Sequence, residues 1–192
     1  TSPSSARASE RNRRCPNAPP RKDAPRHPAT IVSFFNLNFE HLRREYRALK
    51  PDILCFSSMY HGGLMQNLWA YECRSYFASA LPFMGCGILD PFGRPVRLTD
   101  CYSQVARATV NLDRAMVHLD HNRAKFPEIE RKYLGRIAID TPPNIGSALI
   151  LGLADEVTAM DVVREFDLQL LDDYLAVNVK ENAANRKGKR PR

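Results

Sequence analysis

Thiols, imidazoles, carboxylates and the strand-borne Ser33 are among the groups in this sequence that could attack a carbon or hold a metal. Five cysteines are present: Cys15, Cys55, Cys73, Cys86 and Cys101. An odd number with no C-x-x-C pair argues against a disulfide framework and against a zinc ribbon. Cys55 falls inside the apolar run DILCFSSM and Cys101 at the start of a strand or loop; each reads as a small hydrophobe rather than a nucleophile. Cys73 has no evident base beside it in the sequence to draw off its proton. His118, Asp120 and His121 place two imidazoles and a carboxylate close together, a set that resembles a metal cluster on paper. Asn122 and Arg123 continue the stretch, so a solvated polar face is the better account, and no metal or cofactor is expected. His61, after Tyr60 and before Gly62-Gly63, reads on residue type alone as a surface-loop histidine.

The elements that must position these groups begin at Thr30. TIVSFF is a short apolar, β-branched run that reads as a buried strand. Phe39, Leu42, Tyr46 and Leu49 then fall three or four residues apart, one apolar stripe on a helix, with Asn38 as its N-cap. Lys50-Pro51-Asp52 ends that helix, and DILCFSSM forms a second strand. Strand, helix and strand over about 30 residues make a βαβ unit, hence parallel pairing with a right-handed crossover. LMQNLWAYECR reads as a second helix and SYFASAL as a third strand. GCGILDPFGRPVRLT has the form of a hairpin turning at Asp90-Pro91-Phe92-Gly93. VARATVNLD alternates like a half-buried strand, FPEIERKYLG reads as a short helix between Pro127 and Gly135, and RIAID and GSALILG read as strands. VREFDLQLLDDYLAVNV is mainly helical and leads into a polar tail. The class is α/β.

A chain of 192 residues with 44% apolar residues can build a core. The net charge of +7 is not spread over it. Residues 1–29 carry a net +5 and residues 180–192 another +5, which leaves 30–179 at −3. The folded part is therefore not a polyanion-binding surface, and the tail ANRKGKRPR lacks aromatic residues to stack on bases, so nucleic acid is not expected as a partner. Residues 1–29 are rich in Pro, Ser, Arg and Ala and read as disordered; 30–179 read as the domain and 180–192 as a disordered basic tail. No run approaches the roughly 18–20 apolar residues of a membrane span, and no charged-then-apolar leader opens the chain. A cytoplasmic protein is expected.

Several quoted segments, taken in order, resemble the second half of the carbon–nitrogen hydrolase (nitrilase/amidase) family. Leu42-Arg43 with Tyr46, then Pro51-Asp52-Ile53-Leu54 with Phe56 and Ser58, resemble the family's L-R-x-x-Y helix and P-D-I-L-x-F-x-S strand. Trp69, Glu72 and Tyr76 resemble its next helix more loosely, and Asp90-Pro91-Phe92-Gly93 resembles its D-P-x-G hairpin. HLDHNRAKFPEIERKY resembles the segment after the family's last long strand. The resemblance runs from about Thr30 to about Ala176. It implies a four-layer αββα sandwich and hydrolysis of non-peptide C–N bonds in amides, nitriles or carbamoyl compounds. It also implies a cysteine thiolate as nucleophile, a glutamate as general base and a lysine to stabilise the oxyanion.

Carried over residue by residue, the resemblance removes that activity. Phe34 stands at the nucleophile position and Asn36 where the motif has aspartate. Phe34 has no lone pair to attack with, and Ser33 is one residue out of register on a strand whose side chains alternate in direction. Before Thr30 the only acids are Glu10 and Asp23 and the only lysine is Lys22. No catalytic residue is therefore assigned, and the sequence reads as a truncated or misjoined C-terminal portion. The resemblance puts the Tyr60–His61 loop near the pocket mouth, which makes Asn36, Tyr60 and His61 candidate pocket-lining residues. It makes Cys86 structural and Glu72 a buried structural contact. The expected partners are a second copy or a family relative docked through the helical layer. Such a non-enzymatic interaction module, and weak polyanion binding through the tails, are the alternatives to a hydrolase by descent.

Overall fold

The computed structural model describes residues 29–82 and 85–188, with side chains at all of these except 33–35 and 187–188. The chain is mixed α/β, with a five-stranded and a three-stranded sheet, and divides into two compact units between Leu112 and Asp113.

The first unit opens with β1 (Ala29–Ser33), α1 (Glu40–Leu49), β2 (Ile53–Ser57), α2 (Leu64–Cys73) and β3 (Tyr76–Ala80). β1 pairs parallel with β2, and β2 parallel with β3, as the βαβ reading requires. β4 (Gly87–Leu89) and β5 (Pro95–Leu98) extend the sheet antiparallel, in the order β1-β2-β3-β4-β5. The hairpin between them is fixed by one carboxylate. Asp90 Oδ1 accepts the Phe92 and Arg94 backbone N–H groups, each at 2.9 Å, and Oδ2 accepts Arg94 Nε–H at 2.7 Å. Gly93 closes the turn at φ +79, its Cα so near α2 that a Cβ would stand 2.7 Å from the Asn67 carbonyl oxygen.

The strand register brings Val32 beside Phe56 and Leu54 beside Phe77. These four, with Leu89, meet Trp69, Ala70 and Cys73 of α2 and Leu42 and Tyr46 of α1 in one core cluster, so both helices pack on a single sheet face. The opposite face presents Ile31, Ile53, Cys55 and Ile88, of which Ile31 is 74% exposed.

Two expectations are corrected at the start of this unit. The apolar run from Thr30 does not stay a strand through Phe35; β1 ends at Ser33, and Phe34–Asn38 form a 3-10 helix. The Asn36 carbonyl accepts the Phe39 N–H at 3.1 Å, and Leu37 turns inward to full burial. The backbone here is thus a turn rather than a paired strand. Nor does Asn38 cap α1: the cap position is Phe39, with no side-chain bond, because the Asn38 Oδ1 accepts the Tyr60 hydroxyl at 3.2 Å. The helix does stop where Lys50-Pro51 predicts, with Lys50 in the left-handed region at φ +49.

The second unit contains β6 (Arg114–His118), α3 (Phe126–Lys132), β7 (Ile137–Asp140), β8 (Ser147–Gly152), α4 (Ala159–Glu165) and α5 (Leu171–Gly188). Its sheet is antiparallel, in the order β6-β8-β7. Ala115, Val117, Ala148, Ile150 and Ile137 turn one face to Phe126, Ile129 and Tyr133 and to Val162 and Val163 of α4. Met116 and Leu149, whose register places them on the other face, are buried as well. A reciprocal capping box starts α4: Thr158 Oγ1 accepts the Asp161 N–H at 3.1 Å, and Asp161 Oδ2 accepts the Thr158 N–H at 3.0 Å.

Here too the elements shift. VARATVNLD is not a strand: the ladder begins only at Arg114, which pairs with Leu151, and residues 104–110 have no strand neighbour among the described residues. The single C-terminal helix is two, separated by Phe166–Leu170, where Asp167 takes φ +45, Leu168 is buried and Leu170 bridges to Val117. The tail expected from Lys180 is helical through Gly188, because Lys180–Gly188 holds good helix formers and no proline before Pro191. The disorder expected for the N-terminal segment falls, apart from Ala29, on residues outside those described. No described helix is long and apolar enough to cross a membrane.

Candidate functional site

β1, β2 and β3 run parallel, so their carboxyl ends, Ser33, Ser57 and Ala80, lie along one edge of the sheet. In open α/β sheets ligands bind outside this edge, because the connecting loops there leave a crevice. The loops that follow the three strands carry the residues singled out by sequence. Phe34 is the first residue of the 3-10 helix after β1, at the strand end where the resemblance puts a nucleophile. Its side chain lies outside the described set. Asn36, half-buried, is in the same turn. Tyr60 and His61 follow β2.

These loops touch. The Tyr60 hydroxyl reaches Asn38, joining the loop after β2 to the loop after β1. The His61 ring lies against Gly85 in the loop after β3, where a Cβ would stand 2.6 Å from Nε2 at a backbone φ of +95. Glycine is thus required there on two counts. Gln66 Nε2 donates to the His61 carbonyl at 2.6 Å, and a Cβ at Gly62 would meet Leu37 Cδ1 at 2.8 Å, so the His61 backbone is held tightly while its side chain is exposed. The structure brings Tyr60 and His61 to the same edge as Phe34 and Asn36. Sequence reasoning missed Asn38, taken by its type for a helix cap, and Gly85, whose pairing with His61 spans 24 residues and leaves no local signal.

A cleft of about 420 Å³ opens at the same edge, lined by Leu81, Pro82, Cys86, Thr99, Asp100 and Cys101 among others. None of Asn36, Tyr60 and His61 lines it. Cys86 closes the loop beside it: its sulfur accepts the Leu81 N–H at 3.0 Å and its S–H donates to the Leu81 carbonyl at 3.2 Å. The cysteine is structural in this sense. Cys101 is exposed, and Cys55 is half-buried in the ladder between Ile31 and Ala78. Cys73 is a poor nucleophile, since burial among apolar neighbours, with Glu72 adding, pushes its thiol from 9.0 to about 11.

The residues that carry the family resemblance turn out to hold one another rather than the cleft. Arg43 Nε of α1 donates to Glu72 Oε2 of α2 at 2.6 Å, a half-buried ion pair. Tyr46 meets Trp69 edge-on, ring centroids 5.3 Å apart, and its hydroxyl donates to the Ile31 carbonyl at 3.2 Å. Trp69 Nε1–H donates to the Leu37 carbonyl at 2.8 Å inside the core. Through that bond α2 fixes the turn in which Phe34 and Asn36 lie.

In the second unit the histidine pair does not converge. His118 ends β6 and stacks on the Tyr174 ring, centroids 3.6 Å apart, while its Nδ1 accepts the Asp120 N–H at 3.1 Å. Asp120 Oδ2 accepts the Tyr174 hydroxyl at 2.9 Å, which holds that phenol above its ordinary pKa. His121 is exposed at φ +64. The trio lies at a strand end and a turn, and His118 and Asp120 dock α5 through Tyr174. Among the described residues no group of three His, Cys, Asp or Glu side chains is placed to hold a metal ion.

No protein-family model matches the sequence, and no curated protein matches it.

Proposed function

We propose that residues 30–179 descend from a carbon–nitrogen hydrolase and correspond to the C-terminal portion of its domain, with Phe34 in place of the nucleophilic cysteine. The observation that carries this reading is the placement of Phe34. It begins a turn at the carboxyl end of a parallel strand, beside loops holding Tyr60 and His61, and that turn is fixed by the helix residue Trp69 that the resemblance singles out. A four-layer sandwich is the architecture we infer for the complete domain. Both sheets support it, because each carries apolar residues on the face opposite its main core cluster: Ile31, Ile53 and Ile88 in one, away from α1 and α2, and Met116 and Leu149 in the other, away from α3 and α4. Stacked sheets require such inner faces.

With phenylalanine at position 34 no thioester can form there, and Cys55, Cys73 and Cys86 do not substitute. Cys73 is buried and held protonated, Cys86 is bound to the Leu81 backbone, and Cys55 stands within the strand ladder. The purified chain should release no ammonia above background from a panel of simple amides, nitriles and carbamoyl amino acids. Turnover that iodoacetamide abolishes would overturn the assignment of Phe34, since another cysteine would then be catalytic.

A further inference from the structure

Between the hairpin of the first sheet and the first strand of the second, residues 105–110 run without helix, turn, bend or ladder. Val105, Arg107 and Thr109 are exposed, whereas Ala106, Ala108 and Val110 are half-buried, and that two-residue alternation is the signature of an extended chain. Among the described residues no backbone N–H or C=O of Ala106–Val110 has a hydrogen-bond partner. The composition, Val-Ala-Arg-Ala-Thr-Val, carries one charge, no proline and no glycine. An edge of this kind lacks the usual protections against strand pairing, which are bulges, prolines and clustered charge.

We propose that residues 106–110 pair antiparallel with the same residues of a second copy, about a two-fold axis at Ala108. The sequence is self-complementary in that register. Ala108 meets Ala108, Ala106 meets Val110 and Arg107 meets Thr109, so the two arginines are never directly opposite. Small residues at the centre let the backbones approach to ladder distance, and a two-fold contact is isologous, so this pairing of one edge from each copy closes at the dimer. A register centred one residue earlier would place Arg107 against Arg107, and like charges directly opposite are unfavourable. The inference is independent of any hydrolase ancestry, since it rests on the free backbone and the register alone.

The register makes the test a charge swap at an exposed position. In the dimer Thr109 of each copy faces Arg107 of the other, so Thr109→Glu creates two opposite-charge pairs and Thr109→Arg two like-charge pairs. Sedimentation velocity over a concentration series, with circular dichroism to confirm folding, should show a dimer. T109E should tighten it and T109R weaken it, each by a factor of about two to thirty for two symmetry-related pairs, and both effects should shrink as salt rises. Ala108→Pro, which removes the central N–H, should abolish dimerisation while leaving the monomer folded. A monomer at every concentration overturns the proposal, as does a dimer whose dissociation constant is the same in T109E and T109R.

Discussion

Replacing Trp69 by phenylalanine tests how the candidate site is held. Trp69 is fully buried, and its indole N–H is the donor to the Leu37 carbonyl, itself in a fully buried residue. The substitution has two separable costs. Phenylalanine cannot donate, so a buried carbonyl loses its partner, at about 1–3 kcal/mol. The smaller ring also leaves a void of two or three heavy atoms against Tyr46 and the core cluster, worth roughly another 1.5 kcal/mol in lost burial. Together they make about 2.5–4.5 kcal/mol, a large part of a domain stability of about 5–15 kcal/mol. Trp69 is the only tryptophan, so its fluorescence follows the first unit in the parent protein, while urea unfolding by far-ultraviolet circular dichroism compares parent and variant. Amide exchange across Phe34–Asn38 should accelerate in W69F more than in the β2–β3 ladder, because the turn is tied down by the lost bond. Tyr46→Phe is the internal control: its hydroxyl bond to Ile31 is exposed, and its loss should cost no more than about 1 kcal/mol. A W69F protein within about 0.5 kcal/mol of the parent, with exchange at Phe34–Asn38 unchanged, would refute the claim that α2 positions this turn.

Three further outcomes follow from the same contacts. Because burial raises the folded-state pKa of Cys73, the unfolded thiol ionises first as pH rises. Stability should be intact below about pH 9 and fall by roughly 2–3 kcal/mol as pH climbs through about 11, with the slope reduced in Cys73→Ala. Thr158→Ala removes one half of the α4 capping box and should cost about 1 kcal/mol by urea unfolding. A double-mutant cycle on Arg43→Ala and Glu72→Ala should give a coupling of about 1 kcal/mol, given that Glu72 keeps about a third of its side chain in water.

How much of this the sequence reveals depends on the range of the interaction that decides each element. The βαβ segment and the hairpin are legible because their determinants are local: the apolar stripe through Leu42 and Tyr46, the stop at Lys50-Pro51, and the turn built on Asp90. The end of β1 is not, because Phe34 and Phe35 have the composition of a strand. What bends the chain is a carbonyl captured by Trp69, 32 residues away. VARATVNLD shows the reverse limit, since alternation reports an extended chain but says nothing about whether a neighbour is there to pair. The break between α4 and α5 is invisible to periodicity because it is imposed by Leu168 and Leu170 packing toward β6. Of the candidate site, Tyr60 and His61 could be singled out from their loop position. Their partners Asn38 and Gly85 come from the loops after other strands, and only the folded sheet brings them together.

The central claim, that Phe34 occupies the nucleophile position of a carbon–nitrogen hydrolase domain, is tested most directly by supplying the half-domain that precedes the nucleophile. The corresponding N-terminal half of an active family enzyme, carrying its glutamate and lysine, is fused in frame before Thr30, and ammonia release is measured with Phe34 and with Phe34→Cys. The account predicts one cooperative melt for both fusions, hydrolysis with cysteine at position 34 and none with phenylalanine. A fusion that melts as a single unit yet remains silent with cysteine at 34, or hydrolyses equally well with phenylalanine, contradicts it.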